Sequence, residues 1–405
     1  MHRIVVYTTH KWHCTINAFS ESIAEAFRQL GHDVLLVNTD DAEEHNSAWK
    51  AICNGEISFS LGLNFIGMGR RGEFANQYIT IYTGELELPH VSVFLDNPYN
   101  IYLSTVGIKA DFPYKNHFMT VLDPDMIDYI KLAYPQLNKP LMFMPLGGSI
   151  PPVGGEEVFM RERPYDIAYS GNLPFSEVRR SWHDGGTSPV IAKIMDDVAD
   201  LIKVMPYNLW TATKEVLTSK GMYGDEFIRG MLPYFWPLLN YVKSYRRLTA
   251  MENLIKAGYK PHVFGHSWEK TPFADKLIIH GSTDFNETLG VLSSAKIVYQ
   301  DNSEYYRGAH DRVFTSMLCG AAVVSEYSTY LAQEFNDGQD IFLYDWQNTD
   351  KQLTVIDELL HDETKRLSAT VKAYGRAKKH HTWENRAEQI LQGLELAFGE
   401  LIKNY

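Results

Sequence analysis

Apolar residues open the chain as a short solid run, and they then recur at helical spacing. Residues 3–8 (Arg-Ile-Val-Val-Tyr-Thr) are followed, after a loop, by Ile16, Phe19, Ile23, Phe27 and Leu30. The first pattern predicts a strand buried on both faces, and the second an amphipathic helix that Gly31 stops. Residues 34–37 (Val-Leu-Leu-Val) make a second solid run. A β-α-β opening of this kind predicts a parallel sheet covered on both sides, since strands buried on both faces show no polar alternation. Further strands are expected over 56–61, 90–95, 117–122 and 141–144, with a short helix over 125–132.

The alternation then breaks at Pro145, Gly147, Gly148, Pro151, Pro152, Gly154 and Gly155. Such a density of glycine and proline reads as a linker. A strand over 165–170 opens a second series and ends at Gly171-Asn172. Residues 190–258 are mostly helical in pattern. Strands resume over 260–264, 277–280, 296–299, 321–325 and 340–344, and helices over 350–359, 363–374 and 383–401 close the chain. The expected fold class is α/β, with two doubly wound Rossmann-like domains facing a cleft. The domains are placed at 1–155 and 156–380, the latter with a helical insertion at about 182–250. Residues 381–405 are expected as a helix packing back on the first domain. In such sheets ligands bind beyond the C-terminal ends of the strands.

Charge and cysteine usage narrow the function. The formal net charge of −12 opposes a nucleic-acid partner, which needs a basic face. The basic pairs Arg179-Arg180 and Lys378-Lys379 are short enough to be solvated helix surface. Cys14, Cys53 and Cys319 are odd in number and far apart, so neither a disulfide framework nor a zinc site is expected. The longest apolar stretch, 231–242, is too short for a membrane span and is broken by Pro233 and Pro237. Residues 1–3 lead straight into a strand, unlike a secretory signal, and a reducing, cytoplasmic setting is the expectation.

Three places carry candidate chemistry. Gly67, Gly69 and Gly72 fit the G-x-G-x-x-G spacing of a dinucleotide site. The first glycine, however, does not follow its strand directly, and the first βα turn has no glycine. His10 and His13 lie at the mouth of that first turn, and Asp96 follows the 90–95 strand. All three are candidate general bases, set against ordinary roles as a loop histidine or a turn-starting aspartate. The third place is 306–326, where Gly308 precedes a helix over 312–318, Gly320 ends it, and a buried strand follows. Amides at such a helix start favour phosphate, and Arg307 and Arg312 offer neutralising charge. The plainer alternative is a tight helix–strand connection with surface arginines.

Gly308, Arg312, Phe314, Cys319, Gly320 and Ala321, then His381, Thr382, Trp383 and Arg386, follow one another in this order. That series resembles the C-terminal half of GT-B glycosyltransferases of the CgeB-like, spore-protein glycosyltransferase type. Gly171 and the segment Gly265-His266-Ser267-Trp268 fit the same family, and the likeness runs over about 164–392. It implies a nucleotide-sugar site formed by Gly171, Asn172, His266, Gly281, Arg307, Gly308, His310, Arg312, Thr315 and Ser316. Two positions depart from the family pattern: His310 replaces an Asn, and Thr315 replaces a Glu that accepts hydrogen bonds from the donor ribose. A threonine hydroxyl cannot take both of those bonds, which leaves Asp311 or Glu326 as substitutes. The resemblance implies transfer from a UDP- or GDP-type sugar to an acceptor held by the first domain, with no metal and no further cofactor. Asp96, His10 or His13 would serve as base if configuration inverts, and the donor phosphate would suffice if it is retained. An NAD-dependent oxidoreductase and a non-catalytic sugar-nucleotide-binding protein are the alternatives.

Overall fold

A computed structural model of the chain describes residues 1–10, 14–67, 71–74, 77–80, 87–101, 116–133, 135, 140–174, 181–183, 185–205, 208–346, 348–399 and 402. Two units form, Met1–Gly147 with Thr382–Tyr405, and Gly148–His381.

The first unit runs β1 (Arg3–Thr8), α1 (Cys14–Gln29), β2 (Asp33–Asn38), α2 (Ala42–Cys53), β3 (Phe59–Leu63), β4 (Arg71–Phe74), β5 (Gln77–Thr80), β6 (His90–Val93), β7 (His117–Val121), α3 (Asp125–Ala133) and β8 (Leu141–Phe143). Six of the strands form a sheet in the order β2-β1-β3-β6-β7-β8, and every pairing is parallel. Ile4, Val5, Val6, Phe59, Leu61, Leu63, Val91 and Val93 are all fully enclosed, as expected for strands covered on both faces. β4 and β5 pair separately as an antiparallel hairpin.

The second unit runs β9 (Tyr165–Ser170), α4 (Pro189–Val204), α5 (Leu209–Ser219), α6 (Asp225–Met231), α7 (Phe235–Lys256), β10 (His262–Phe264), β11 (Ile278–Gly281), α8 (Phe285–Ser293), β12 (Ala295–Gln300), α9 (Asp311–Leu318), β13 (Ala322–Glu326), α10 (Thr329–Glu334), β14 (Phe342–Tyr344), α11 (Thr349–His361) and α12 (Glu363–His380). The sheet order is β11-β10-β9-β12-β13-β14, again all parallel. The chain thus winds outward from β9 in one direction and from β12 in the other. The two strands meet at a topological switch point, where a crevice opens beyond their C-terminal ends. Helices α4 to α7 occupy the crossover from β9 to β10, where the helical insertion was expected. The last helix, α13 (Trp383–Phe398), returns to the first unit, where the Trp383 ring lies 5.0 Å from that of Phe19. Thr382 and Asn385 close its start with a reciprocal capping box.

The glycine motif at 67–72 resolves against a dinucleotide site. Gly67 ends a turn with φ +90°, and the Tyr7 ring fills the space of its missing side chain. Gly72 lies on strand β4 of the hairpin. A dinucleotide fingerprint must open a helix whose N-terminus meets the pyrophosphate, so the NAD reading of this loop is corrected. Residues 68–70 lie outside the described residues, as does His13. Among the described residues no helix is long and apolar enough to cross a membrane.

Candidate active site

The crevice of the second unit is built from three strand ends and one helix start. Gly171 follows β9 and donates its amide to the Phe264 carbonyl at 2.8 Å, while the Trp268 indole donates to the Gly171 carbonyl at 2.8 Å. The Asn172 side chain accepts from the His266 amide at 2.8 Å. Gly265, with φ +148°, donates to the Gly281 carbonyl at 2.6 Å, and a Cβ on it would stand 2.4 Å from the Gly171 carbonyl oxygen. The turns after β9 and β10 therefore touch backbone to backbone, which only glycine at 265 allows. His266 is exposed at this seam, and Gly281 sits farther out at the end of β11.

Helix α9 supplies one cation, Arg312. Val313, Phe314, Met317 and Leu318 are fully enclosed among Val158, Leu331, Phe335 and Ala377, which anchors the helix and aims its N-terminus at the switch point. Arg312 is half-buried, and a Cβ on Gly171 would stand 3.0 Å from its Nη1. The guanidinium thus lies over the turn after β9. His310 stands just before the helix: its Nδ1 is 2.7 Å from Asp311 Oδ1, and its Nε2 is 3.2 Å from Arg312 Nη2. A contact that short to a carboxylate requires a proton on Nδ1. Nδ1 also lies 3.3 Å from the Arg312 amide, but that longer contact cannot be a second acceptance by the same protonated nitrogen. Burial pushes the Asp311 carboxyl up, yet His310 and Arg312 outweigh it and hold it below the usual range. Arg307 is exposed at the loop, and the Gly308 carbonyl accepts from Ser328 Oγ at 2.5 Å.

Beneath this layer lies an ionic network that local sequence patterns do not reveal. The Asp301 carboxylate, just beyond β12, accepts from Arg247 Nε at 3.2 Å on both oxygens, from Ser303 Oγ at 2.8 Å, and from the Tyr169 hydroxyl. Arg247 also donates to the Asn172 carbonyl. Burial alone would raise the Asp301 carboxyl, but Arg247 and then Arg312 hold it well below the ordinary range. Arg246 pairs with Glu326 at 2.5 Å, and Trp346 and the Asn302 amide fill the remaining acceptor sites of Glu326 at 2.7 and 3.0 Å. Lys243 pairs with Glu304 at 2.7 Å. The available signals were the Asp-Asn-Ser run at 301–303, directly after a buried strand, and the adjacent arginines 246 and 247 within the helical insertion.

The structure brings together Gly171, Asn172, His266, Arg312 and His310, with Gly308 close by in sequence and Gly281 at the margin. It corrects Ser316, whose hydroxyl is fully enclosed, without a hydrogen-bond partner among the described residues, on the inner side of α9. Thr315 is also buried, and its hydroxyl accepts from the Ser149 amide at 3.1 Å. The hydroxyl is thus bound to the segment that enters the unit. Nor is Glu326 free to replace the family glutamate, since both its oxygens hold protein donors. In the first unit His10 and Asp96 are exposed beyond β1 and β6. These strands are separated only by β3, so their ends lie about 10 Å apart. The His10 amide donates to Asp40 at 3.1 Å. Among the described residues no three His, Cys, Asp or Glu side chains converge as a metal site.

Residues 246–392 match the family model described as glycosyl transferase-like. Among curated proteins none matches the chain in sequence. Solved structures similar in fold include sucrose-phosphate synthase from Thermosynechococcus elongatus, at 11% identity over 99% of this chain and 100% of that one, TM-score 0.52. An alpha-glucosyltransferase solved with UDP-glucose and DNA containing an abasic site shares 13% identity over 97% and 99% of the two chains, TM-score 0.52. AviGT4, a glycosyltransferase involved in avilamycin A biosynthesis, shares 10% over 98% and 99%, TM-score 0.50. The two parallel sheets are those of the GT-B fold, and the segment that carries Arg247, Asp301, Arg312 and Glu326 is glycosyl transferase-like.

Proposed function

We propose that the chain transfers a sugar from a UDP- or GDP-type donor, with the nucleotide diphosphate held at the switch point of the second unit. One observation carries this reading: the Arg312 guanidinium lies over the Gly171 turn, beside the start of α9, while the neighbouring carboxylates already have cations of their own. Arg312 is then positive charge left for a diphosphate, and the first amides of α9 add theirs. In the transfer step the bond from the anomeric carbon to the β-phosphate oxygen breaks, and an acceptor oxygen takes its place. Charge builds on the departing diphosphate, where fixed cations and amides stabilise it without reorganising. No metal is needed in this scheme. The first unit presents the acceptor, with His10 and Asp96 as base candidates, and the His381-Thr382-Trp383 and Gly308–Ala321 motifs favour the CgeB-like type within the family. Support for a nucleotide sugar comes from the UDP-glucose held by the alpha-glucosyltransferase of similar fold.

The test is a panel of UDP- and GDP-sugars with the full chain, reading nucleoside diphosphate release with chelator present. Release from at least one donor, undiminished by chelator, is expected. A chain that binds neither UDP nor GDP but is stabilised by NAD would overturn the reading.

A further inference from the structure

The last helix of the insertion, α7, presents three cations within two turns, and each meets one carboxylate at a strand end. Lys243 takes Glu304, Arg246 takes Glu326 and Arg247 takes Asp301. Arginine and carboxylate are rarely buried unless paired, and the two arginine pairs are almost wholly enclosed. Their position is unusual for a purely structural network, because the carboxylates stand beside the place assigned to an anionic ligand. Left alone, they would repel a diphosphate and attract its arginine.

Asp301 is the critical one. Tyr169 donates its hydroxyl to Asp301, and the space above Gly171 is shared by that same hydroxyl and by Arg312: a Cβ there would stand 3.2 Å from Tyr169 Oη and 3.0 Å from Arg312 Nη1. Arg312 is therefore within one side chain's width of the Asp301 network. Yet among the described residues no ion pair joins Arg312 to Asp301, whose acceptor positions are filled by Arg247, Tyr169 and Ser303. The other end of the Arg247 guanidinium holds the Asn172 carbonyl, fixing the turn over which Arg312 lies.

We propose that Arg247 is a positioning residue: by occupying the Asp301 carboxylate, it keeps Arg312 available to the donor diphosphate. The inference rests on the donor-site reading above and adds a role for the insertion, which supplies the countercharge that leaves Arg312 in surplus. Removing Arg247 exposes an uncompensated carboxylate next to Arg312. The two then pair, and the phosphate loses its partner.

Calorimetry of UDP (or GDP, whichever the wild-type chain binds) on the full chain tests this, with thermal unfolding of each variant alongside. Arg247→Met should weaken nucleotide binding by about tenfold or more, the effect of losing one charged contact. Arg247→Met combined with Asp301→Asn should recover most of that loss, because the competing charge is gone. A residue that only held the fold together would lose and regain unfolding midpoint and affinity in step, whereas a positioning residue changes affinity between variants whose midpoints match. Asp301→Asn alone should bind about twofold tighter or better, since a negative charge beside the diphosphate has been removed. Equal affinity of Arg247→Met and wild type, or a double variant as weak as the single one, would overturn the proposal. Loss of binding in Asp301→Asn would also overturn it, making Asp301 a ligand of the nucleotide instead. If Arg247→Met does not fold, Asp301→Asn decides alone. A wild-type chain that binds neither nucleotide removes the donor-site reading itself, whereas binding with the wrong variant pattern removes only the role of Arg247.

Discussion

Both sheets bury polar side chains among their strands, but the two units neutralise them in different ways. In the first unit two buried pairs join a serine hydroxyl to an imidazole: Ser60 with His90 Nδ1 at 2.8 Å, and Ser92 with His117 Nε2 at 2.9 Å, all four residues fully enclosed. His90 and His117 are the first residues of β6 and β7, at the N-terminal ends of these strands. In the second unit the pairs are ionic, they gather just past the ends of β12 and β13, and they surround the switch point. A neutral pair satisfies hydrogen bonds and projects little field. An ionic network costs more to bury, but it fixes where charge stands, and a site that must hold a diphosphate needs charge in fixed places. The difference separates a polar group that serves the fold from one that serves a ligand.

The sharpest way to break the comparison is to remove one member of each kind of pair. Arg246→Met leaves Glu326 buried and unpaired and should destabilise the second unit by about 3–5 kcal/mol, measured by denaturant unfolding. Glu326→Gln on the same background should recover part of it. Ser60→Ala removes a neutral partner from His90 and should cost about 1–3 kcal/mol. If the two losses were equal, the ionic pairs would be no different in kind from the neutral ones.

Acid separates the units by window. Burial pushes the His90 imidazole down to about 3, whereas an unfolded histidine titrates near pH 6.5. Between these values the unfolded chain binds the extra proton, so the first unit loses stability as pH falls from about 6.5 towards 3, by about 2 kcal/mol at pH 5. Asp301 is held low, so its contribution is present above its unfolded value of about 3.9 and disappears only below it. Protection of the β1 and β3 amides from hydrogen exchange should therefore fall at pH 5 well before that of β9 and β12, and His90→Asn should flatten the difference. Simultaneous loosening of both sheets at pH 5 would contradict the assignment.

How much of this could be read from the sequence depends on the range of the interaction. Strands of solid apolar residues, such as Arg3–Thr8 and Tyr165–Ser170, announce themselves because both faces are buried. Helix α2 does not, since its inward face is only His45, Ala48, Trp49, Ala51 and Ile52 amid polar residues. Gly171 and Arg312 stood out because each lies where a strand or helix end meets a glycine turn. Arg247 with Asp301, and Arg246 with Glu326, are 54 and 80 positions apart, and no local pattern joins them. Ser316 shows the converse failure. The motif placed it beside Thr315, but Val313 and Met317 already mark that side of α9 as core. Thr315 itself now reads as a structural tie, and Thr315→Val should cost about 1 kcal/mol of stability, the worth of its bond to the Ser149 amide, while leaving UDP affinity unchanged. A clear loss of affinity without loss of stability would restore it to the nucleotide.

The central claim is that Arg312, over the Gly171 turn, holds the donor phosphates. It is tested most directly by titrating UDP and GDP calorimetrically into wild type and Arg312→Ala, with chelator present and unfolding midpoints matched. The account predicts that at least one nucleotide binds the wild type and that Arg312→Ala weakens it by about 1.5–3 kcal/mol, the usual scale of a charged hydrogen bond. Equal affinity in the two proteins would contradict it, and the switch point of the second unit would no longer be the donor site.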